Sequence, residues 1–200
     1  MAEYYNDFSQ YPLGSWPVQP SDWSPQWIDG MGAESAITSG AIWRQTDSDP
    51  AASRQFASWD LVESTVDGEI YAEFELVPNT NGGAAEPIAS FGLRCTGGGT
   101  SSNERNGYAF WVRGNDTLAL RKYVNGSESS VATANYTIDL LTVYSCIAKA
   151  SGNLLQFWIW KRDTENKPAT PNISVTDNTF SGSGRLQLGN VNVYIDDKVD

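Results

Sequence analysis

Trp111 and Arg113 stand two residues apart, and Gln156, Trp158 and Trp160 repeat that spacing later in the chain. The chemistry that suits these residue types is sugar recognition: an indole face stacks on sugar C–H groups, while guanidinium and carboxylate groups hydrogen-bond hydroxyls. Glu73 and Glu75 add a carboxylate pair at the same spacing, with no third member on the strand. Other chemistries fall away on residue type alone. The chain has no histidine, which removes Ser-His-Asp and Cys-His nucleophiles, histidine zinc sites and the usual near-neutral proton shuttle. Cys95 and Cys146 are its only cysteines, too few for a four-cysteine zinc site or a disulfide framework. Each lies in an apolar, strand-like stretch, where a buried free thiol is expected in preference to a bridge. The clusters Asn81-Gly82-Gly83 and Gly97-Gly98-Gly99-Thr100 are not followed by Lys-Ser/Thr and open no helical pattern. They read as loops and not as phosphate cradles.

The elements that must position these residues are strands. Helical periodicity is nearly absent, whereas alternation is widespread: Ile70, Ala72, Phe74 and Leu76 against Tyr71, Glu73 and Glu75, and Ala89, Phe91 and Leu93 against Ser90, Gly92 and Arg94. Further strands are expected over Gly107 to Arg113, Thr117 to Val124, Val143 to Lys149, Leu154 to Lys161, Asn172 to Thr176, Arg185 to Leu188 and Val191 to Ile195. Gly114-Asn115-Asp116, Asn125-Gly126 and Ser151-Gly152-Asn153 carry the turn chemistry that joins neighbouring antiparallel strands. Residues 1 to 60 differ. Pro12, Pro17, Pro20 and Pro25 and five tryptophans, Trp16, Trp23, Trp27, Trp43 and Trp59, punctuate short pieces. There the expectation is a first strand near Tyr5 to Phe8, an aromatic-stapled loop, then strands near Ala41 to Thr46 and Ser58 to Val62.

With 200 residues, 40% hydrophobic and 12% aromatic, one all-β domain over 1–200 is expected, residues 1–60 forming its irregular opening part. The 24 acidic and 13 basic residues leave a net charge of -11, which repels nucleic acid and anionic membranes and excludes both as expected partners. The N-terminus shows no basic-then-apolar leader pattern, and no apolar run is long enough for a membrane helix. A soluble protein made in a cytoplasm is therefore expected.

Several segments then fall into a familiar order: Asn6-Asp7-Phe8 with a Gly14-Ser15 turn, Phe91 to Arg94, Asn106 to Phe110, Leu120 to Gly126, Val143 to Ile147, Ala150 to Gly152, Leu155 to Trp160, Val175 to Asp177, Ser183 to Gly189 and Val193 to Asp197. In that order they resemble the laminin-G-like jelly-roll domains of the concanavalin A-like lectin and glucanase superfamily, almost over the whole chain. The resemblance implies a two-sheet antiparallel jelly-roll sandwich with the first and last strands adjacent, the closing run being two strands separated by a glycine turn. If Phe91, Phe110, Phe157 and Ile159 point into its core, then Glu73, Glu75, Arg94, Trp111, Arg113, Gln156, Trp158 and Trp160 share outward faces. Cross-strand Glu-Arg pairing is one account of these residues; a carbohydrate platform of Arg94, Trp111, Arg113, Trp158 and Trp160 is the other.

The same superfamily includes glucanases with a Glu-X-Asp-X-X-Glu strand. The nearest stretch here is Ser58-Trp59-Asp60-Leu61-Val62-Glu63, with a serine where the nucleophilic carboxylate would stand. No catalytic activity is expected, a degenerate glycoside hydrolase being the alternative. Family members often hold Ca²⁺ where opening and closing strands meet, and the matching positions are Asp7 and Asp196, with Asp197 as an alternative. A stand-alone, acidic module of this kind looks like the accessory proteins of tailed bacteriophages. The resemblance thus implies a non-enzymatic virion structural protein, decorating a capsid or forming part of a neck or tail. Its partners would be other virion proteins or itself, and host-surface glycans. A free carbohydrate-binding lectin is the alternative.

Overall fold

In the computed structural model of the chain, the described residues are 14–16, 23–29, 35–38, 42–45, 54–59, 66–76, 87–96, 106–191 and 198–199, with side-chain detail over 66–76, 87–96 and 106–189. Their strands are β1 (Gly14–Trp16), β2 (Trp23–Asp29), β3 (Ser35–Thr38), β4 (Ile42–Gln45), β5 (Arg54–Trp59), β6 (Gly68–Glu75), β7 (Ile88–Thr96) and β8 (Asn106–Arg113). They continue with β9 (Thr117–Val124), β10 (Ser127–Asn135), β11 (Val143–Ser151), β12 (Leu154–Lys161), β13 (Ile173–Thr176), β14 (Arg185–Val191) and β15 (Lys198–Val199). Two antiparallel sheets result: an eight-stranded one ordered β1-β3-β4-β15-β6-β11-β12-β13 and a seven-stranded one ordered β10-β9-β8-β7-β14-β5-β2. No helix occurs among the described residues. This is the expected all-β two-sheet sandwich.

Alternation builds the core. Ala72 and Phe74 of β6, Tyr144 and Cys146 of β11, and Phe157 and Ile159 of β12 point inward from the eight-stranded sheet. Phe91, Phe110, Leu118 and Leu120 meet them from the seven-stranded sheet. Phe110 stacks on Phe157 at a 5.0 Å centroid distance, and Phe74 packs on Phe91 at 5.4 Å, so aromatic pairs tie the two layers together. Each such ring contributes roughly 1.5–3 kcal/mol through burial, and each pair about 0.5–1.5 kcal/mol more. Neither thiol is in a disulfide and both are buried, Cys146 within this core, and burial pushes the Cys146 thiol well above its ordinary range. It packs as a small hydrophobe and not as a nucleophile.

Local chemistry sets the hairpins. Asn125 and Gly126 both take left-handed φ, 49° and 77°, as the two-residue turn between β9 and β10 requires. The Gly152 turn joins β11 to β12 in register, Ser151 opposite Leu154. Pro25 lies within β2 next to a register shift, on the edge strand of its sheet, where a missing N–H breaks no central ladder.

The expectations for both ends of the chain need correction. The stretch read as an aromatic-stapled loop contains β1, β2 and β3, with Trp16 in β1 and Trp23 and Trp27 in β2. The strand expected from Ser58 to Val62 is centred earlier, over β5. Gly189 is no turn: β14 runs straight through it, pairing it with Ser90 on one side and Phe56 on the other. The expected strand at Tyr5 to Phe8 and most of Val191 to Ile195 lie outside the described residues, and with them the pairing of the opening strand. The closing strand β15 sits between β4 and β6.

Candidate functional site

Register assigns the outward residues to two separate faces. On the seven-stranded sheet, Trp111 of β8 lies between Ser90 of β7 and Ala119 of β9. The next rows hold Arg113 opposite Ile88 and Thr117, and Arg121 of β9 opposite Ala109 and Ser130. The Arg121 guanidinium lies 5.2 Å from the Trp111 ring centroid, and its Nη1 is 3.6 Å from Glu128 Oε1. Tyr123 donates to the other Glu128 oxygen at 3.1 Å. Trp111 is 5% exposed and Ser90 1%, so together they floor a face whose partly exposed rim is Arg113, Arg121 and Glu128. Burial, and then the positive charge of Arg121, lower the Arg113 pKa, while Glu128 opposes them. Ser90 Oγ, Trp111 Nε1 and Arg121 Nε are buried atoms that make no hydrogen bond. Such atoms are uncommon in folded proteins, and each costs roughly 1–3 kcal/mol unless something supplies its partner.

The eight-stranded sheet carries the other face. Tyr71, Ile147 and Trp158 share one outward row, and Glu73, Ser145 and Trp160 the next. Ile147, Trp158 and Trp160 form a small buried cluster. Tyr71 beside it is 56% exposed, its ring centroid 6.3 Å from that of Trp160. Its hydroxyl donates to Glu73 at 2.7 Å and lies 3.2 Å from Ser145 Oγ. Arg162 Nη1 reaches the second Glu73 oxygen at 3.1 Å, and Lys167 Nζ stands 4.8 Å from the Trp158 ring centroid.

Trp111 and Arg113 therefore share one face and Trp158 and Trp160 the opposite one, with the aromatic core between them. They do not form a single platform. Arg94 joins neither face, contrary to its expected outward direction. A bulge between Leu93 and Thr96, with Arg94 at φ 54°, breaks the alternation of β7. Its guanidinium is 1% exposed and donates to the carbonyls of Val66 at 2.6 Å, Phe180 at 2.7 Å and Gly152. These belong to the entry to β6, the segment after β13 and the β11–β12 turn, so Arg94 clamps one end of the sandwich. Beside it a cleft of about 240 Å³ opens between Thr96 and residues 179–183. A second lock lies close by: Asp177 accepts from Tyr108 Oη at 2.5 Å, Lys122 Nζ at 2.9 Å and the Thr179 N–H at 2.8 Å.

The sequence reading missed Arg121 and Glu128, although Thr117, Ala119, Arg121 and Tyr123 alternate against Leu118 and Leu120. It set Tyr71 beside Glu73 on a wet face without including it in the platform. Lys167 and Arg162 come from the β12–β13 connection, where no periodicity signals direction. The Glu-Arg account is realised with other partners, Glu73 with Arg162, Glu128 with Arg121, and likewise Glu69 with Lys149 at 3.0 Å. Ser58 stands opposite Gln187 in the seven-stranded sheet; Asp60 and Glu63 lie outside the described residues, as do Asp7, Asp196 and Asp197. Among the described residues no three acidic, cysteine or histidine side chains converge as metal ligands.

No protein-family model matches the chain, and no curated protein matches it in sequence. Solved structures do match in fold. The carbohydrate-binding module CBM66 from Bacillus subtilis is 17% identical with a TM-score of 0.53, over 89% of this chain and 90% of that one. The exoplasmic/lumenal domain of VIP36, in a form bound to Ca²⁺ and Man3GlcNAc, is 13% identical with a TM-score of 0.59, over 89% and 80%. Winged bean acidic lectin, complexed with methyl-α-D-galactose, is 10% identical with a TM-score of 0.56, over 94% and 95%. The sandwich has the lectin jelly-roll fold of the concanavalin A-like class.

Proposed function

We propose that this protein is a non-catalytic carbohydrate-binding module, with the outer face of its seven-stranded sheet as the glycan site. The observation that carries the reading is the floor and rim built there: a tryptophan under an arginine, with Ser90 Oγ, Trp111 Nε1 and Arg121 Nε buried and making no hydrogen bond. Sugar hydroxyls both donate and accept, so they suit a hydroxyl oxygen, an indole N–H and a guanidinium N–H, which a sugar would reach as the Arg121 side chain swings off the Trp111 ring. Arg113 and Glu128 would add rim hydrogen bonds. The carbohydrate-bound state of two of the similar structures supports the same reading. A glycan array followed by calorimetry tests it with Arg121→Gln and Trp111→Phe. Both variants are expected to keep the fold and lose at least tenfold in affinity; unchanged binding in both overturns the site.

Calcium remains a proposal tied to Asp7 and Asp196, supported by the Ca²⁺-bound VIP36 structure. A rise in melting temperature on adding Ca²⁺ to EDTA-treated protein is the expected result. A virion location rests on the sequence alone, and mass spectrometry of purified particles tests it.

A further inference from the structure

The structure assigns a second sugar site to the opposite side of the sandwich: Tyr71, with Trp160 and Trp158 beside it on the eight-stranded sheet, is a stacking platform for a neutral hexose chain. It does not rest on the site proposed above, since the two faces share no residue.

Tyr71 is a large aromatic side chain left 56% exposed and held in place. Its hydroxyl is fixed by Glu73 and Ser145, and its ring leans on Trp160. A ring immobilised before the ligand arrives offers a flat C–H-binding face without a further ordering cost. Glu73 is fixed in turn by Arg162, leaving carboxylate and guanidinium groups at the edge of the ring for hydroxyls. A second, independent feature lies alongside. Trp158 is 9% exposed, its Nε1 is buried and makes no hydrogen bond, and the Lys167 ammonium sits over its ring. A ring face that attracts an ammonium attracts the electropositive C–H face of a sugar for the same reason, and Lys167 is an exposed side chain on a flexible stem that can swing aside.

Charge selects the occupant. The ionic groups around Tyr71 are closed among themselves: Glu73 and Asp163 on Arg162, and Glu69 on Lys149. Lys167 over Trp158 is the cation outside these pairs; with it, Lys149, Arg162 and Lys167 face Glu69, Glu73 and Asp163, so the face carries no net positive charge for a uronate or sulfate, and the net charge of -11 disfavours anionic polymers further. A protein partner would want clustered exposed apolar side chains, whereas Ile147, Trp158 and Trp160 are only 8–9% exposed. The remaining chemistry fits an uncharged chain of hexoses.

Titration of the full chain with neutral gluco-, manno- and galacto-oligosaccharides, followed by amide NMR shifts and calorimetry, tests this. The expected result is binding that moves resonances of β6, β11 and β12, weakens about tenfold in Tyr71→Ala, stays within about threefold in Tyr71→Phe, and ignores Arg121→Gln. Because Tyr71 is exposed, the alanine variant is expected to fold, which its amide spectrum checks. Neutral-sugar binding that is lost in Arg121→Gln and indifferent to Tyr71→Ala overturns the second site while leaving the first. Binding only of acidic oligosaccharides at this face, no neutral-sugar binding at all, or self-association abolished by Tyr71→Ala without a sugar effect, overturns it as well.

Discussion

On the seven-stranded sheet the outward tryptophan is nearly buried, with an arginine over its ring; on the eight-stranded sheet the outward tyrosine lies bare and the tryptophans are sunk beside it. The two faces use the same residue types in opposite arrangements. In one, hydrogen-bonding atoms are buried and without partners while charge forms the rim. In the other, the hydroxyl and charged groups are closed into pairs, only Trp158 Nε1 among its described residues is buried without a partner, and the exposed surface is aromatic. The first arrangement suits recognition through directional bonds, which a wrong hydroxyl pattern breaks; the second suits stacking, which tolerates many sugars. What separates them is the two-sheet topology: β8 and β12 belong to different sheets, so residues of equal spacing on them point away from the shared Phe110–Phe157 core in opposite directions.

The largest effect is expected where both faces are held in common. Arg94→Met removes a buried guanidinium from three carbonyls, and leaving these without a donor costs about 3 kcal/mol or more. For a chain of this size that is a fall in melting temperature on the order of 6–12 °C. Sugar binding at the two faces should weaken together; loss at one face alone would show that the clamp does not couple them. Gly184→Ala approaches the same clamp from outside, because an added Cβ would overlap the Arg94 backbone. A destabilisation of roughly 1–3 kcal/mol by denaturant titration is expected, with similar parity between faces.

The sequence showed the sheets well and the faces poorly, for identifiable reasons. Strands β6 to β9, β11 and β12 were legible because period-two alternation survives in each, and the Asn125-Gly126 turn fixes its hairpin by φ alone. Arg94 was misread because one left-handed residue reverses the side that every later side chain takes, and nothing in Leu93-Arg94-Cys95 marks it. The edge strand β10 was missed because Ser127 to Ser130 are all exposed, leaving no apolar face to alternate. The single platform failed on topology: whether β8 and β12 share a sheet is decided by pairing, which spacing within a strand does not encode.

Next in size is an acid-side effect at Asp177, which follows β13 of the eight-stranded sheet and bonds to β8 and β9 of the other. Burial works against ionisation of Asp177, yet hydrogen bonds from Tyr108, Lys122 and Thr179 outweigh it and hold the carboxyl well below the usual range. A depressed folded value makes this contribution complete above the ordinary carboxylate value of about 3.9, and it is lost as pH falls below that. Asp177→Asn should cost about 1–3 kcal/mol at pH 7 and flatten the stability profile between about pH 5 and 2. An unchanged acid slope would show that Asp177 is not the group responsible. Burial, with the Asp177 bond adding to it, pushes Tyr108 up to about 12. Its share of the lock is therefore full below its ordinary value of about 10 and declines as pH rises toward 12.

The smallest stability effect is expected at the exposed face, and its smallness is informative. In Tyr71→Phe the ring stays and two hydroxyl contacts go, so a change within about 1 kcal/mol is expected, most of it from the buried Ser145 hydroxyl losing its neighbour. Glu73 keeps Arg162. If stacking defines this face, sugar affinity follows the ring and barely moves, whereas on the other face Trp111→Phe removes the indole N–H and affinity falls at least tenfold. Equal losses from the two substitutions would mean that both faces recognise sugars through directional hydrogen bonds, and the contrast between them would disappear.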